Sequence, residues 1–309
     1  MKNINSAIFK IACKQVGINF KNFSYYSSGK CSDLFLDSDN KIVLKIMKWH
    51  IQKDSVVNVF NKMKEKINFI RYLENNRFPI IGPIHFNNSD FVIFKFKKQI
   101  YVAYMMPFVE TNDEAQNISI EDIAKLMRRF HDLSRKYTLV NIHLSWKDDF
   151  YSVLSLCQDK ELYNTMINFY EQIEVINKNK DKGFIHFDLN KNNFLSTTEG
   201  VFMIDFDTIT YGWYAMDIAG YLYSISVLDF QQNLYINNYE LNDIYLKFME
   251  TYNNKAIIDY LDTIDLFMKY RRLFLYIIQK NYIDKSNKTK SLEIKNDIIN
   301  NKKFISIYK

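Results

Sequence analysis

FIHFDLNKNNFL (residues 184–195), followed by VFMIDFDTI (residues 201–209), is the stretch on which the reading of this chain turns. It opens as a polar loop, and the short apolar runs after it, bounded by Gly and Asp, predict two small strands. On both sides the pattern is helical. From Tyr211 to the end apolar residues recur at helical spacing. Upstream, Ser119-Ile120-Glu121-Asp122 forms a capping box that opens a helix with Ile123, Met127, Phe130 and Ser134 on one face. A polar loop that interrupts a helical scaffold is a common place for chemistry.

Further upstream the periodicity changes. NFSYYS, SDLFLDSD and KIVLKIMKW, separated by Ser, Asp and Asn clusters between Phe20 and Met47, predict a meander of strands. From Asp54 to Asn76 the spacing of Val56, Phe60, Met63, Ile67 and Ile70 predicts one amphipathic helix, which stops before Arg77-Phe78-Pro79. FVIFKF and YVAYMM flank Lys97-Lys98-Gln99 as a hairpin, and Pro107 ends the sheet. The expected division is therefore a β-rich lobe over residues 1–107 and a mostly helical lobe over 108–309, an α+β chain with no internal repeat.

Composition agrees with this division. The 309 residues exceed the size of a small module, and 48% hydrophobic with 25% charged residues supports a packed core. Seven Gly and three Pro disfavour a many-turned all-β chain. The formal charge of +6 is concentrated from Lys280 to Lys309, where eight lysines face Asp284, Glu293 and Asp297, so a solvated helix face is the ordinary reading and nucleic acid is not the expected partner. Cys13, Cys31 and Cys157 lack the spacing of a zinc ribbon or a disulfide framework. No window approaches a membrane span or an export signal. The expected compartment is the cytoplasm, and no oligomeric state is assigned. His50, His85 and His143 have no companion ligands at metal spacing and read as ordinary surface or loop histidines.

Within the central stretch stand His186, Asp188 and Asn193, and Asp205 and Asp207 flank Phe206 beyond it. A carboxylate at a loop mouth can accept a hydroxyl proton, while an amide oxygen and a second carboxylate are hard donors suited to Mg2+. Lys45, in the apolar run Ile42-Val43-Leu44, is a cation that a strand would present from a buried surface to nucleotide phosphates. Together these are the parts of phosphoryl transfer. Taken singly, Lys45 could be an edge-strand lysine, Asp205-Phe206-Asp207 a turn, and Asn192-Asn193 loop filler.

The ordered set resembles the aminoglycoside phosphotransferase and choline kinase superfamily, relatives of protein kinases, whose catalytic loop reads H-x-D-x-x-x-x-N before a metal-binding Asp. Phe130-His131 resembles the Leu-His pair ending the first large-lobe helix, Pro107 to Glu110 the segment leaving the lobe hinge, and YGWYAMDIAGYLY (211–223) the helix start after the metal Asp. The resemblance implies a bilobal protein-kinase-like fold. It makes Asp188 the catalytic base or hydroxyl orienter, Asn193 and Asp205 the Mg2+ ligands, and Lys45 the contact to the α and β phosphates. His186 is implied as a scaffold residue, and Asp217 as an N-cap that braces the loop. Met106 and Phe108, either side of Pro107, are expected to bind the nucleotide, which is ATP with GTP left open.

Several positions depart from the family pattern. Tyr25-Tyr26-Ser27-Ser28-Gly29-Lys30 carries one Gly, so Ser28 and Gly29 are expected over the phosphates, with a plain hairpin as the alternative. Counting back from Leu73-Glu74, the usual glutamate partner of the lysine falls on Lys66. Glu65, one residue off and away from the apolar stripe, is taken for that role. Phe187 and Asn192 stand where Gly is common in relatives. No activation-loop ending follows Asp205, so a protein substrate is not expected.

Between Asp229 and Asp265 seven carboxylates face two lysines, and Trp213, Tyr214, Tyr221 and Tyr223 lie nearby. A cleft so lined would attract a small cationic hydroxyl compound of aminoglycoside or amino-alcohol type. The bland alternative is solvated helix faces and a core of aromatics. For the whole chain the alternative function is a catalytically silent kinase-like binding or structural protein.

Overall fold

A computed structural model of the chain describes residues 4–28, 32–51, 54–110, 118–138, 143–176, 181–253 and 260–305. Five antiparallel strands carry its first part: β1 (Ser24–Ser28), β2 (Ser32–Asp37), β3 (Ile42–Lys48), β4 (Val92–Phe96) and β5 (Gln99–Pro107), in the order β1-β2-β3-β5-β4. The meander and the hairpin fall where the alternation placed them. The β4–β5 turn is the two-residue connection Lys97-Lys98, with Phe96 opposite Gln99 and Lys97 at φ +54°. β3 is central, paired to β2 and β5, and its residues Val43 to Met47 are all buried.

Successive side chains of a strand point to opposite faces. One face gathers Leu44, Ile46, Phe35, Phe94, Ala103 and Met105 into a cluster with Ile8, Ala12, Cys13 and Val16 of a helix, α1 (Ser6–Val16), that the sequence reading did not include. Its signals are present nonetheless. The Asn5 side chain accepts the amide of Ile8 at 3.0 Å, and Gly17, at φ +84°, donates its amide to the Cys13 carbonyl, a left-handed C-cap that a side chain would strain. The buried Asp33 carboxylate of β2 accepts the amide of Ile4 at 2.7 Å and so fixes where this helix enters.

α2 (Val56–Asn75), capped by Ser55, buries Val59, Met63, Ile67, Ile70 and Leu73. Phe60, expected on the apolar face, is 48% exposed, and Lys62, Glu65 and Lys66 are buried instead. The buried face is thus rotated from the one that apolar spacing marked. Charge pairing and aromatic contact make this possible: Lys62 donates to Asp54 at 3.0 Å, and the Lys66 ammonium lies 5.4 Å from the Trp49 ring centre.

The second part is mostly helical: α3 (Ile120–Lys136), α4 (Trp146–Leu154), α5 (Lys160–Val175), α6 (Tyr214–Ser226), α7 (Asn238–Asn253), α8 (Leu261–Ser286) and α9 (Lys288–Ile299). Ser119 caps α3, its hydroxyl accepting the Asp122 amide at 3.1 Å and donating to the Asp122 carboxylate at 2.8 Å, and the four face residues read from its spacing are buried. Short strands interrupt the helices: β6 (Lys182–Ile185), β7 (Phe194–Thr197), β8 (Gly200–Met203), β9 (Thr210–Trp213), and the ribbon of β10 (Val227–Asp229) with β11 (Leu234–Tyr235). The expected two strands around the loop are four, because β6 pairs with β9 and β7 with β8.

The chain divides into two compact units. One holds Met1–Gln116, Leu139–His143 and Leu195–Ile204; the other holds Asn117–Thr138, Leu144–Phe194 and Asp205–Lys309. Pro107 is the last residue of β5. No helix among the described residues is long and apolar enough to cross a membrane.

Candidate active site

In the second unit the antiparallel pairing of β6 with β9 sets Phe184 and Ile185 in the interior and launches the loop that follows. Loop amides buried this way need acceptors. Asp217, wholly buried on α6, supplies them: its Oδ1 accepts the amide of Phe187 at 2.8 Å and its Oδ2 the amide of His186 at 2.9 Å. Oδ2 also faces His131 Nε2 at 3.1 Å, and His131 Nδ1 faces the Tyr252 hydroxyl at 2.6 Å. Burial lowers the His131 pKa against the opposing pull of Asp217, and burial holds the Tyr252 phenol above its ordinary range. The consistent assignment is a neutral imidazole that accepts from Tyr252 O–H and donates Nε2–H to Asp217. Asp217 braces the loop as expected but is not the N-cap. Trp213 is the cap residue, and Asp217 lies one turn inside α6.

The loop backbone is unusual at Phe187, which takes φ +68°. That is the left-handed region where Gly is free and a bulky residue is strained, so the departure from Gly noted in the sequence leaves the loop's shape intact and loads it. Phe187 is buried and meets Phe274 edge-on at 5.9 Å. After it, Asp188 projects a carboxylate that is 39% exposed and accepts a hydrogen bond from Arg271 Nη2 of α8. The Asp188 carbonyl accepts Asn193 Nδ2 at 2.7 Å and Asn190 Nδ2 at 3.0 Å, which folds the loop into a short turn over Lys191–Asn193. With its nitrogen engaged, buried Asn193 has its amide oxygen left for another partner. Gly220 lets α6 approach the loop closely, since a Cβ at that position would stand 3.1 Å from the Leu189 carbonyl, a tighter contact than side chains ordinarily make.

Asp205 opens a second short turn, Phe206–Thr208, at φ +64°, a conformation Asp tolerates, and its side chain is exposed. Thr208 Oγ1 donates to the His186 carbonyl at 2.8 Å, which ties that turn to the loop. His186 is fully buried with its ring 4.8 Å from Phe206, a scaffold position. Asp207 is half-buried on the same turn. Among the described residues no cluster of three or more His, Cys, Asp or Glu could hold a metal. One amide oxygen and one exposed carboxylate are hard donors that suit Mg2+, an ion that completes its shell with water and substrate phosphate oxygens.

In the first unit Lys45 is buried on β3, opposite Leu34 and Tyr104 and on the face away from α1. Glu65 is buried too, contrary to its expected place off the buried face, and its Oε2 accepts the His143 amide at 2.7 Å. Ser28 ends β1 opposite Asp33, and Gly29 lies outside the described residues. Met106 is opposite Val43 on β5. Phe108 donates its amide to the Lys41 carbonyl at 2.8 Å and packs edge-on against Tyr26 at 5.7 Å.

The proposed cation-binding surface takes a different form from the one expected. Trp213, Tyr214, Tyr221 and Tyr223 are buried, and burial pushes the phenols of Tyr214 and Tyr221 up to about 12. They are core. The carboxylates divide between solvated positions, such as Asp262 with a 92% exposed side chain, and structural acceptors, such as buried Asp265, which takes the amides of Phe304 and Ile305. Asp259 lies outside the described residues. Arg271 and Tyr252 escaped the sequence reading. The only signal was a pair of arginines inside the apolar run FMKYRRLFLYII (267–278).

Residues 41–244 match the model of the phosphotransferase enzyme family. Among solved structures, the fold is similar to an amicoumacin kinase in complex with AMP-PNP, Ca2+ and Ami, at TM-score 0.78 and 14% identity over 98% of this chain and 96% of that one. It is similar to a microcompartment-associated aminopropanol kinase at 0.69 and 14% over 96% and 95%. It is also similar to a choline kinase from Streptococcus pneumoniae at 0.61 and 11% over 96% and 99%. A search of curated protein sequences returned no significant match.

Proposed function

This chain belongs to the phosphotransferase enzyme family, and on that premise we propose that it moves the γ-phosphoryl group of ATP to a hydroxyl of a small molecule. Asp188 carries the reading. Its carboxylate is partly exposed on a loop whose backbone is held from beneath by Asp217, which suits a group that orients an acceptor hydroxyl and takes its proton. Positioning supplies most of the catalysis in such a transfer, since little covalent chemistry falls to the protein. Asn193 and Asp205 would hold Mg2+, which spreads the charge of the transferred group when bound. Lys45 would neutralise the α and β phosphates with Glu65 as its partner, and Ser28, Gly29, Met106 and Phe108 would complete nucleotide binding.

For the acceptor we favour a small hydroxylated amine. The support is the character of similar folds, which include aminopropanol, choline and ethanolamine kinases. The acidic segment from Asp229 to Asp265 adds nothing to it, because its described carboxylates are solvated or structural.

The test joins two measurements. Mg2+ and ATP together are expected to raise the melting temperature, and Asp205→Ala to abolish that shift while leaving the unliganded melt near wild type. In an ADP-release screen over aminoglycosides, choline, ethanolamine, homoserine and sugars, Asp188→Asn is expected to lower kcat at least a hundredfold and spare the KM for ATP. Absence of any nucleotide-dependent shift in the wild type, or equal loss of turnover and ATP binding in Asp188→Asn, would contradict the assignment.

A further inference from the structure

Arg271 lies in the middle of α8, and no sequence spacing connects it with the loop that holds Asp188. Its guanidinium grips two consecutive loop residues. Nη2 donates to Asp188 Oδ1, and Nη1 donates to the Phe187 carbonyl at 3.3 Å. The two peptides that flank the Phe187 Cα are thereby both held, its N–H donating to Asp217 and its carbonyl accepting from Arg271, at the residue whose backbone is strained. Burial sorts the two charged partners: the Arg271 side chain is 13% exposed and that of Asp188 39%. The guanidinium therefore sits behind the carboxylate, out of the path of a ligand approaching from solvent. Among the described residues no protein group donates to Asp188 Oδ2.

We propose that Arg271 is a positioning residue for the transfer reaction. It occupies one oxygen of Asp188, leaves Oδ2 to meet the acceptor hydroxyl, and locks the peptide that aims the carboxylate. The inference rests on the reading of Asp188 given above. A planar fork is suited to this task because two donors in fixed geometry can span a carboxylate and a neighbouring carbonyl, whereas the point charge of a lysine can satisfy only one of them well. A freely rotating carboxylate would present either oxygen at varying distance, and misplacement of a reacting group by about 1 Å can cost roughly a hundredfold in rate.

Steady-state kinetics and amide hydrogen exchange on wild type, Arg271→Met and Arg271→Lys test this. Arg271→Met is expected to lower kcat about a hundredfold with the KM for ATP unchanged, and Arg271→Lys to recover part of that loss. In the unliganded proteins, the amides of residues 186–193 are expected to exchange faster in Arg271→Met, while those of α6 do not. Wild-type kcat in Arg271→Met, or loss of turnover together with loss of ATP binding, would overturn the proposal. Should Arg271→Met not fold, Arg271→Lys decides: a kcat about tenfold down upholds the proposal and an unaltered kcat defeats it. Should the wild type transfer phosphate to no acceptor, the reading of Asp188 fails by itself. The exchange data then separately decide the clamp: unchanged loop protection refutes it and faster exchange sustains it.

Discussion

At Phe187 a bulky residue holds a backbone conformation at φ +68° that disfavours it by roughly 1–2 kcal/mol. What holds it there is packing against Phe274 and two backbone hydrogen bonds, its N–H donating to Asp217 and its carbonyl accepting from Arg271. Removing a buried Phe side chain costs about 3–5 kcal/mol, more than the strain it relieves. Phe187→Gly is therefore expected to lower the free energy of urea unfolding by about 2 kcal/mol, and a stabilised variant would show that strain outweighs packing here. His131 supplies a second prediction. Its folded pKa is lowered from 6.5 by burial, so its contribution to stability is complete above pH 6.5 and is lost as the pH falls below that value, where the unfolded chain binds the proton and the folded chain resists it. Unfolding midpoints should decline from pH 7 toward pH 5. The His131 ring should titrate below 6.5 by NMR, and a value at or above 6.5 would contradict the neutral link between Tyr252 and Asp217.

Among the elements, α1 shows how an apolar sheet face acquires its cover. Asn5 and Gly17 delimit a helix whose Ile8, Ala12, Cys13 and Val16 share one side, and the β3 and β5 residues beneath them alternate inward. Burial raises the Cys13 thiol to about 11, so this cysteine serves as packing volume and not as a reactive group. Ile8→Ala should destabilise the protein by roughly 2–5 kcal/mol in urea titration, and a loss under 1 kcal/mol would mean the helix does not cover the sheet. α2 illustrates the opposite case. Its buried face includes Lys62, Glu65 and Lys66, which apolar spacing assigns to solvent. The partners that admit charge to the interior, Asp54 and Trp49, belong to the chain before the helix, and the His143 amide comes from far beyond it. Hydrophobic periodicity has no means of showing such pairings.

Across the whole molecule, three lysines of the basic segment that begins at Lys280 are held in ion pairs. Lys295 meets Asp159 and Glu161, Lys280 meets Asp284, and Lys290 meets Glu293. α9 also buries Ile294 and Ile298, and the Tyr276 hydroxyl donates to the Ser291 carbonyl at 2.9 Å. Truncation after Asn287 should therefore lower the melting temperature by several degrees without changing a salt-dependent gel shift, and an unaltered melt with altered nucleic-acid retention would reverse that reading. The strand meander, the β4–β5 hairpin, α2, α3 and the chemical types at Lys45, Asp188, Asn193 and Asp205 were legible in the sequence, whereas α1 and two of the four short strands around the loop were not. Periodicity and loop punctuation act over a few residues, and the family's motif spacing survives in order along the chain. Tertiary structure alone decided that Asp217 and Arg271 hold the Phe187 backbone from its two sides, that Glu65 is buried, and that Trp213, Tyr214, Tyr221 and Tyr223 are core. Each of these outcomes depends on groups brought together from distant parts of the chain by packing, and sequence spacing carries no record of such a meeting.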